Sequence, residues 1–127
     1  MATEHLLEVK HLKKHFPIKG GIFSKTIGYV YAVDDVNFTL AKGETLGLVG
    51  ESGCGKTTIG KGILGLVPIE SGKMYYNGED ITNKISIKQR QNVQMVFQDP
   101  DASLNPRMKI VDILGEPLRN LMGYKNR

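Results

Sequence analysis

Residues 43–58 read GETLGLVGESGCGKTT, an apolar run that leads into a glycine-rich turn. Within this segment, Gly50 to Thr57 fits the spacing G-x-x-x-x-G-K-[ST], which is typical of loops that bind phosphate groups. Glycine lets the backbone curl so that its N–H groups point at the anion, and the following helix adds unpaired N–H groups and the positive end of its dipole. The pattern therefore predicts a strand, a phosphate-binding loop and a helix in succession.

The side chains of this loop have separate predicted roles. Lys56 can reach the β- and γ-phosphates of a nucleotide as a point charge, and the hydroxyl of Thr57 can ligate Mg²⁺. Thr58 places a second hydroxyl on the side of the α-phosphate. We expect five further residues of the loop to contact the nucleotide: Gly50, Ser52, Gly53, Cys54 and Gly55.

The sequence on either side of the loop predicts an α/β fold. Four segments have the apolar pattern of strands, namely 6–16, 29–40, 44–50 and 93–97. Two segments have helical spacing of apolar residues, namely 56–67 and 110–121. Asn77-Gly78 predicts a tight turn. Prolines and glycines predict loops over 17–28 and 98–108.

The composition is that of a globular protein with one domain. The chain has 127 residues, of which 40% are hydrophobic and 24% are charged. No apolar run approaches the ~20 residues of a membrane helix, and the N-terminal residues lack the apolar core of a signal peptide. The single cysteine, Cys54, excludes an internal disulfide. We therefore expect the protein in the cytosol or on the membrane face that borders it.

The net charge of +4 permits an anionic partner but does not identify one. The run KHLKKH at 10–15 could contact nucleic acid or lipid phosphates, although a solvated strand face is the expected interpretation. His11 and His15 have the spacing of metal ligands on a helix. Because no pair of Asp or Glu lies nearby in the sequence, we expect no metal site there.

Residues 93–108, VQMVFQDPDASLNPRM, resemble the glutamine loop of the ATP-binding subunits of ABC transporters. Its segment SLNPR is similar to the corresponding segment of the oligopeptide and dipeptide importer subfamily. The resemblance extends over nearly the whole chain and includes LLEVKHLKKHFPIK, AVDDVNFTL and ILGEPL. It implies an α/β P-loop NTPase core of the ABC type with an antiparallel β subdomain, truncated before the signature motif.

The resemblance also implies roles for two residues outside the phosphate-binding loop. Gln98 would be the glutamine whose side-chain oxygen approaches Mg²⁺ and the attacking water, at a hinge that senses the membrane subunit. With Lys56, it would make up the catalytic residues on this chain. An aromatic ring would stack on the adenine, where contact with a π-face is favourable. Phe16 matches that position, and Tyr31 is the alternative.

Three motifs of a complete ABC ATPase do not follow Gln98: an LSGGQ-type signature, four apolar residues before Asp-Glu, and a switch histidine. VYAVDD at 30–35 precedes the phosphate-binding loop, and KIVDILGEP at 109–117 has a helical period, so neither is the Asp-Glu motif. The sequence therefore predicts the N-terminal portion of an ATP-binding domain over residues 1–127. This portion would hold the β subdomain, the Walker A loop, the Q-loop and the beginning of the helical subdomain.

The resemblance implies that the full protein binds ATP and Mg²⁺ and uses ATP hydrolysis to energise solute import. A peptide is the expected solute, and nickel stays an alternative because peptide, nickel and related importers share these motifs. Its partners would be a second ATP-binding subunit, identical or different, transmembrane permease subunits and, indirectly, an extracytoplasmic solute-binding protein. No nucleic acid is implied. The location would be peripheral, on the cytoplasmic face of the membrane.

The residues themselves are also compatible with two other functions. The first is a nucleotide-binding interaction or regulatory fragment that does not turn ATP over. The second is a P-loop kinase, which would need lid arginines. The four arginines show no lid-like grouping; they are Arg90, Arg107, Arg119 and Arg127.

Overall fold

The computed structural model describes residues 5–99 and 103–123 of the chain. These residues fall into two compact units, 1–85 and 86–127. Among the described residues, the first unit contains the strands, the phosphate-binding loop and the helix after it, and the second contains Gln98 and further helical segments.

The first unit is built on a four-stranded antiparallel sheet with strand order β2-β1-β3-β4. Its strands are β1 (His5–Gly20), β2 (Lys25–Ala41), β3 (Ser71–Tyr76) and β4 (Glu79–Asp80). The predicted antiparallel β portion is thus confirmed. The turn predicted at Asn77-Gly78 is also confirmed, because both residues have positive φ, 49° and 81°, as a type I′ hairpin turn requires.

A single cluster of apolar side chains forms the core of this unit. Alternate residues of the strands point to one face, which brings their apolar side chains together. Among the described residues, the buried members are Leu7, Val9, Leu12, Val33, Ile59, Ile69, Met74 and Ile81.

The prediction of a loop over residues 17–28 is wrong. Both strands continue through this segment, with Ile18 opposite Gly28 and Gly20 opposite Lys25, and only residues 21–24 form the turn. Ser24 N–H closes the turn by donating to the Gly21 carbonyl at 3.2 Å. Gly20 does not end the strand; it leaves space for the Ile27 side chain, because a Cβ at Gly20 would lie 2.5 Å from Cδ1 of Ile27.

The two histidines of β1 each face an acidic side chain. His11 Nδ1 lies 2.8 Å from the carboxylate of Asp35, and His15 Nδ1 lies 3.0 Å from that of Glu70. The residues lie on a strand, where the spacing of metal ligands on a helix does not apply. Among the described residues, no group of three or more His, Cys, Asp or Glu could hold a metal ion.

Helix α1 (Lys56–Ile63) follows the phosphate-binding loop and is four residues shorter than predicted. It ends where Gly65 adopts a left-handed φ of 65° and its N–H donates to the Gly62 carbonyl at 2.9 Å. A glycine in this conformation is a common helix terminator. Val67, the predicted last residue, therefore lies beyond the actual end of the helix.

The strands predicted over 44–50 and 93–97 are not present as strands. A strand exists only when a neighbouring strand supplies hydrogen bonds to its backbone. None of the four described strands pairs with either segment. Most apolar side chains of these two segments are consequently exposed, Val49 and Val96 almost completely, whereas Val93 and Met95 are partly buried.

The second unit contains α2 (Ile87–Asn92) and α3 (Ile110–Met122). Ser86 and Gln89 form a capping box at the start of α2, in which each side chain bonds the other's backbone N–H. Gln91 Nε2 donates to the Leu121 carbonyl at 2.6 Å and links the two helices. The helix predicted over 110–121 is confirmed, and its apolar stripe is exposed.

Candidate functional site

The backbone of residues 50–55 curls into a tight loop between the segment 44–50 and α1. Gly53 and Gly55 have φ of 82° and 92°, a region that side-chain-bearing residues rarely adopt. Cys54 N–H donates to the Glu51 carbonyl at 3.3 Å. Gly50 faces the Cys54 side chain so closely that a Cβ there would lie 2.5 Å from Sγ. The glycines at these three positions are thus required by the conformation.

Helix α1 begins directly after this loop and is left open at its N-terminus. Gly55 is the N-cap residue, no side chain caps the first turn, and the first turn contains no acidic residue. The N–H groups at a helix start have no intrahelical partner, and they carry the positive end of the dipole. Buried Ile59 anchors the helix in the core. The arrangement therefore presents donors and positive potential to an anion.

Gly55 also rests against β2. A Cβ at this position would collide with the carbonyl oxygen of Ala32 and approach Cγ2 of Val33 at 3.5 Å. The start of α1 is therefore held against the strand one residue beyond Tyr31. The contact of Gly55 with Ala32 was not predicted from the sequence, and it involves the Ala32 backbone carbonyl, so no side chain signals it.

The Lys56 ammonium lies across the loop. Nζ donates to the carbonyls of Gly50 and Glu51, each at 2.7 Å, and approaches Sγ of Cys54 at 3.2 Å. The Cys54 thiol is exposed, and its hydrogen bond with Lys56 lowers the pKa of Cys54 below that of an ordinary thiol. A charged phosphate oxygen is a stronger acceptor than a neutral carbonyl, so it could replace these contacts.

The polar side chains predicted to contact a nucleotide lie on or beside the loop. Ser52 and Thr57 are exposed, and Thr58 is partly buried. Thr57 and Thr58 both belong to the first turn of α1. The structure thus brings the predicted loop residues and Lys56 together.

Phe16 and Tyr31 lie on opposite faces of the ribbon formed by β1 and β2. The ring of Tyr31 stands edge-on against His15 with centroids 4.5 Å apart, and residues 15 and 16 point to opposite faces of the strand. Phe16 is 39% exposed and Tyr31 is 67% exposed, so neither is a core aromatic. Lys14 Nζ lies 5.1 Å from the ring centroid of Phe16. One base can therefore stack on only one of the two rings.

Gln98 belongs to the second unit and is exposed after the segment 93–97. Next to it, the Asp99 carbonyl accepts a hydrogen bond from Ser103 Oγ at 2.5 Å. Gln98 thus belongs to the unit of residues 86–127, whereas the phosphate-binding loop belongs to the unit of residues 1–85.

The chain matches the family described as ABC transporter over residues 33–125. The chain belongs to the ABC transporter family. The match includes the phosphate-binding loop, α1 and Gln98, so the resemblance seen in the glutamine loop is confirmed at the level of the family.

Two curated relatives in the ABC transporter family are named as peptide-transport proteins. The chain is 48% identical to the oligopeptide transport ATP-binding protein AppF of Bacillus subtilis, over 98% of this chain and 39% of AppF. It is 46% identical to the dipeptide transport ATP-binding protein DppF of Escherichia coli, over 89% of this chain and 34% of DppF. The chain therefore spans well under half the length of these relatives.

Solved structures of ABC cassettes share the fold. The dimeric post-hydrolysis state of the ATP-binding cassette MJ0796 with ADP and Pi superposes with a TM-score of 0.69 at 22% identity. The superposition covers 95% of this chain and 49% of that cassette. The α/β fold with an antiparallel sheet is thus that of an ABC cassette. Within the described residues, no helix is long and apolar enough to cross a membrane.

Proposed function

We propose that this chain forms the nucleotide-binding part of an ABC ATPase that energises the import of peptides. The observation that carries the proposal is the open helix start after a loop with two left-handed glycines, with the Lys56 ammonium across it. This combination is what a polyphosphate chain requires of a protein. The names of the relatives AppF and DppF support peptides as the solute.

ATP would enter the loop with its phosphates against the backbone. The N–H groups of the loop and of the first turn of α1 would donate to the phosphate oxygens, together with the nearby Ser52 and Thr58 hydroxyls. Lys56 would exchange its two carbonyl acceptors, on Gly50 and Glu51, for the β- and γ-phosphates. This exchange is favourable because a hydrogen bond between two charged groups is stronger than one to a neutral carbonyl.

The residues present fit Mg²⁺ bound through the nucleotide. Mg²⁺ in such sites is held by one or two protein oxygens, by substrate phosphates and by water. The exposed Thr57 hydroxyl would supply one ligand. By the resemblance of its segment to the glutamine loop, Gln98 would supply a second. When bound, Mg²⁺ neutralises the charge that develops on the phosphates.

Phe16 would stack on the adenine ring. Its partly exposed ring lies on the ribbon formed by β1 and β2. The same ribbon contains Ala32, whose carbonyl lies against Gly55 at the start of α1. Tyr31, on the opposite face, would then remain against His15.

The whole protein would work as a peripheral subunit on the cytoplasmic face of the membrane. Its partners would be a second ATP-binding subunit, permease subunits and, indirectly, an extracytoplasmic solute-binding protein. The dimer named for MJ0796 supports the first of these. Residues 1–127 would supply the β subdomain, the Walker A loop, the Q-loop and the beginning of the helical subdomain.

The proposal is tested by titrating ATP against the Lys56→Ala variant in a calorimeter. Losing a hydrogen bond from a charged group costs about 1.5–3 kcal/mol, which is roughly a tenfold to hundredfold loss of affinity. Lys61→Ala, in the last turn of the same helix, should keep the affinity of the wild type. Unchanged ATP affinity in a folded Lys56→Ala protein would refute the assignment.

A further inference from the structure

The hairpin formed by residues 15–30 extends beyond the four-stranded sheet. Strand β3 pairs with β1 no further than Lys13, so past that point β1 and β2 pair as strands only with each other. Residues 21–24 form the turn at the tip. A two-stranded ribbon has no core of its own and is marginally stable when isolated.

Large apolar side chains are exposed at this tip. Ile22 is 98% exposed and Phe23 is 85% exposed, and Ile27 next to the turn is also mostly exposed. Closer to the sheet, the ring of Tyr29 is half-exposed. Exposed apolar side chains clustered in this way indicate a surface that meets a partner.

Residues 9–33, which include this hairpin, carry the excess positive charge of the chain. Between Glu8 and Asp34 there are five lysines and no acidic residue, whereas the other twelve Lys and Arg are offset by all thirteen Asp and Glu. Lys10 pairs with Glu8, and Lys13 pairs with Asp34. No acidic side chain among the described residues pairs with the other three, which are Lys14, Lys19 and Lys25.

We propose that this hairpin tip binds the surface of an anionic phospholipid bilayer. Ile22 and Phe23 enter the boundary between headgroups and acyl chains, and Lys19 and Lys25 contact the anionic headgroups on either side. Tyrosine is favoured at the level of the headgroups, where Tyr29 lies next along the hairpin. An apolar tip bounded by lysines is the arrangement by which short segments bind membrane interfaces.

The charges favour a lipid surface over a protein groove. A groove that buried Ile22 and Phe23 would need acidic groups placed opposite both lysines, whereas an anionic bilayer offers negative charge at every position. The proposal does not depend on ATP binding, because none of these residues belongs to the phosphate-binding loop. Failure of one proposal therefore leaves the other standing.

Co-sedimentation with vesicles tests the proposal. The purified protein should bind vesicles that contain phosphatidylglycerol, bind phosphatidylcholine vesicles at least about tenfold more weakly, and be released by high salt. The pair Ile22→Ser and Phe23→Ser should reduce binding about tenfold or more. The matched control pair, Ile110→Ser and Val111→Ser on α3, removes exposed apolar side chains elsewhere and should not. Lys19→Glu with Lys25→Glu should also abolish binding, whereas Lys42→Glu with Lys84→Glu should not.

A fluorescent variant gives a measurement that does not rest on loss of binding. The chain has no tryptophan, so Phe23→Trp places a single reporter at the tip. Its emission should shift to the blue with phosphatidylglycerol vesicles and be quenched by brominated acyl chains, whereas Ile110→Trp should show neither effect. No shift at position 23, or equal loss of binding in the tip and α3 pairs, would overturn the proposal and favour a protein partner for the hairpin.

Discussion

Cys54 and Lys56 form a pair in the phosphate-binding loop whose contact can be measured. The hydrogen bond from Lys56 lowers the pKa of the Cys54 thiol, so at pH 7 a larger fraction is thiolate than in an ordinary cysteine. We expect a maleimide to alkylate Cys54 faster in the wild type than in Lys56→Ala at pH 7. The difference should vanish above about pH 9.5, where both thiols are ionised.

Nucleotide should protect the same thiol. If the loop encloses the phosphates, Mg-ATP slows alkylation of the wild type, and Lys61→Ala should behave like the wild type. Equal rates with and without Mg-ATP would contradict the proposed site.

Phe16 and Tyr31 lie on opposite faces of the ribbon, so only one of the two rings can contact the adenine. Aromatic stacking contributes about 0.5–1.5 kcal/mol, so Phe16→Ala should weaken ATP binding roughly twofold to tenfold. Tyr31→Ala should leave it unchanged. Tripolyphosphate has no base, and its affinity should be the same for both variants. The reverse result for ATP would assign the adenine contact to Tyr31.

The junction between the loop and α1 depends on two glycines with similar φ but different surroundings. A Cβ at Gly53 meets nothing within 4 Å, whereas one at Gly55 collides with the Ala32 carbonyl. Gly53→Ala should therefore cost only the left-handed strain, about 1–2 kcal/mol of unfolding free energy. Gly55→Ala should cost roughly 1–3 kcal/mol more, since β2 or α1 must move.

Urea unfolding of the two variants measures this difference. Because both substitutions add one methyl group to a left-handed glycine, each controls for the other. Equal loss of stability would mean that α1 does not rest on β2 in the way the structure describes.

We expect residues 1–127 to supply only part of the machinery for hydrolysis. Phosphoryl transfer to water needs one carboxylate that helps hold Mg²⁺ and a group that positions the water. No Asp-Glu pair follows Phe97 in the sequence. We expect residues 1–127 to bind nucleotide weakly and to release no phosphate in a steady-state assay.

A longer chain that adds the signature and Asp-Glu motifs should hydrolyse ATP once its partner subunit is present, and Gln98→Ala should reduce that rate by a large factor. A longer chain that binds ATP without turnover would instead favour a regulatory role. Steady phosphate release from residues 1–127, abolished by Lys56→Ala, would show that the catalytic groups lie elsewhere.

Local chemistry made several features predictable from the sequence. Only glycine tolerates the φ values at positions 53 and 55, and Asn77-Gly78 suits a tight turn, so these residues specify their own conformations. The amphipathic spacing over 110–121 specified α3 in the same way. The order of residues from Gly50 to Thr57 was enough to predict the phosphate-binding loop.

Features that depend on distant partners were decided by the tertiary structure alone. The apolar segments 44–50 and 93–97 read as strands, but a strand requires hydrogen bonds from a neighbour, and no described strand supplies them. Segment 17–28 read as a loop from its glycines and proline, yet pairing between β1 and β2 extends through it. Strand register likewise decides two features of the site, and no local pattern of residues encodes it. These features are the contact of Gly55 with the Ala32 carbonyl and the position of Phe16 and Tyr31 on opposite faces of the ribbon.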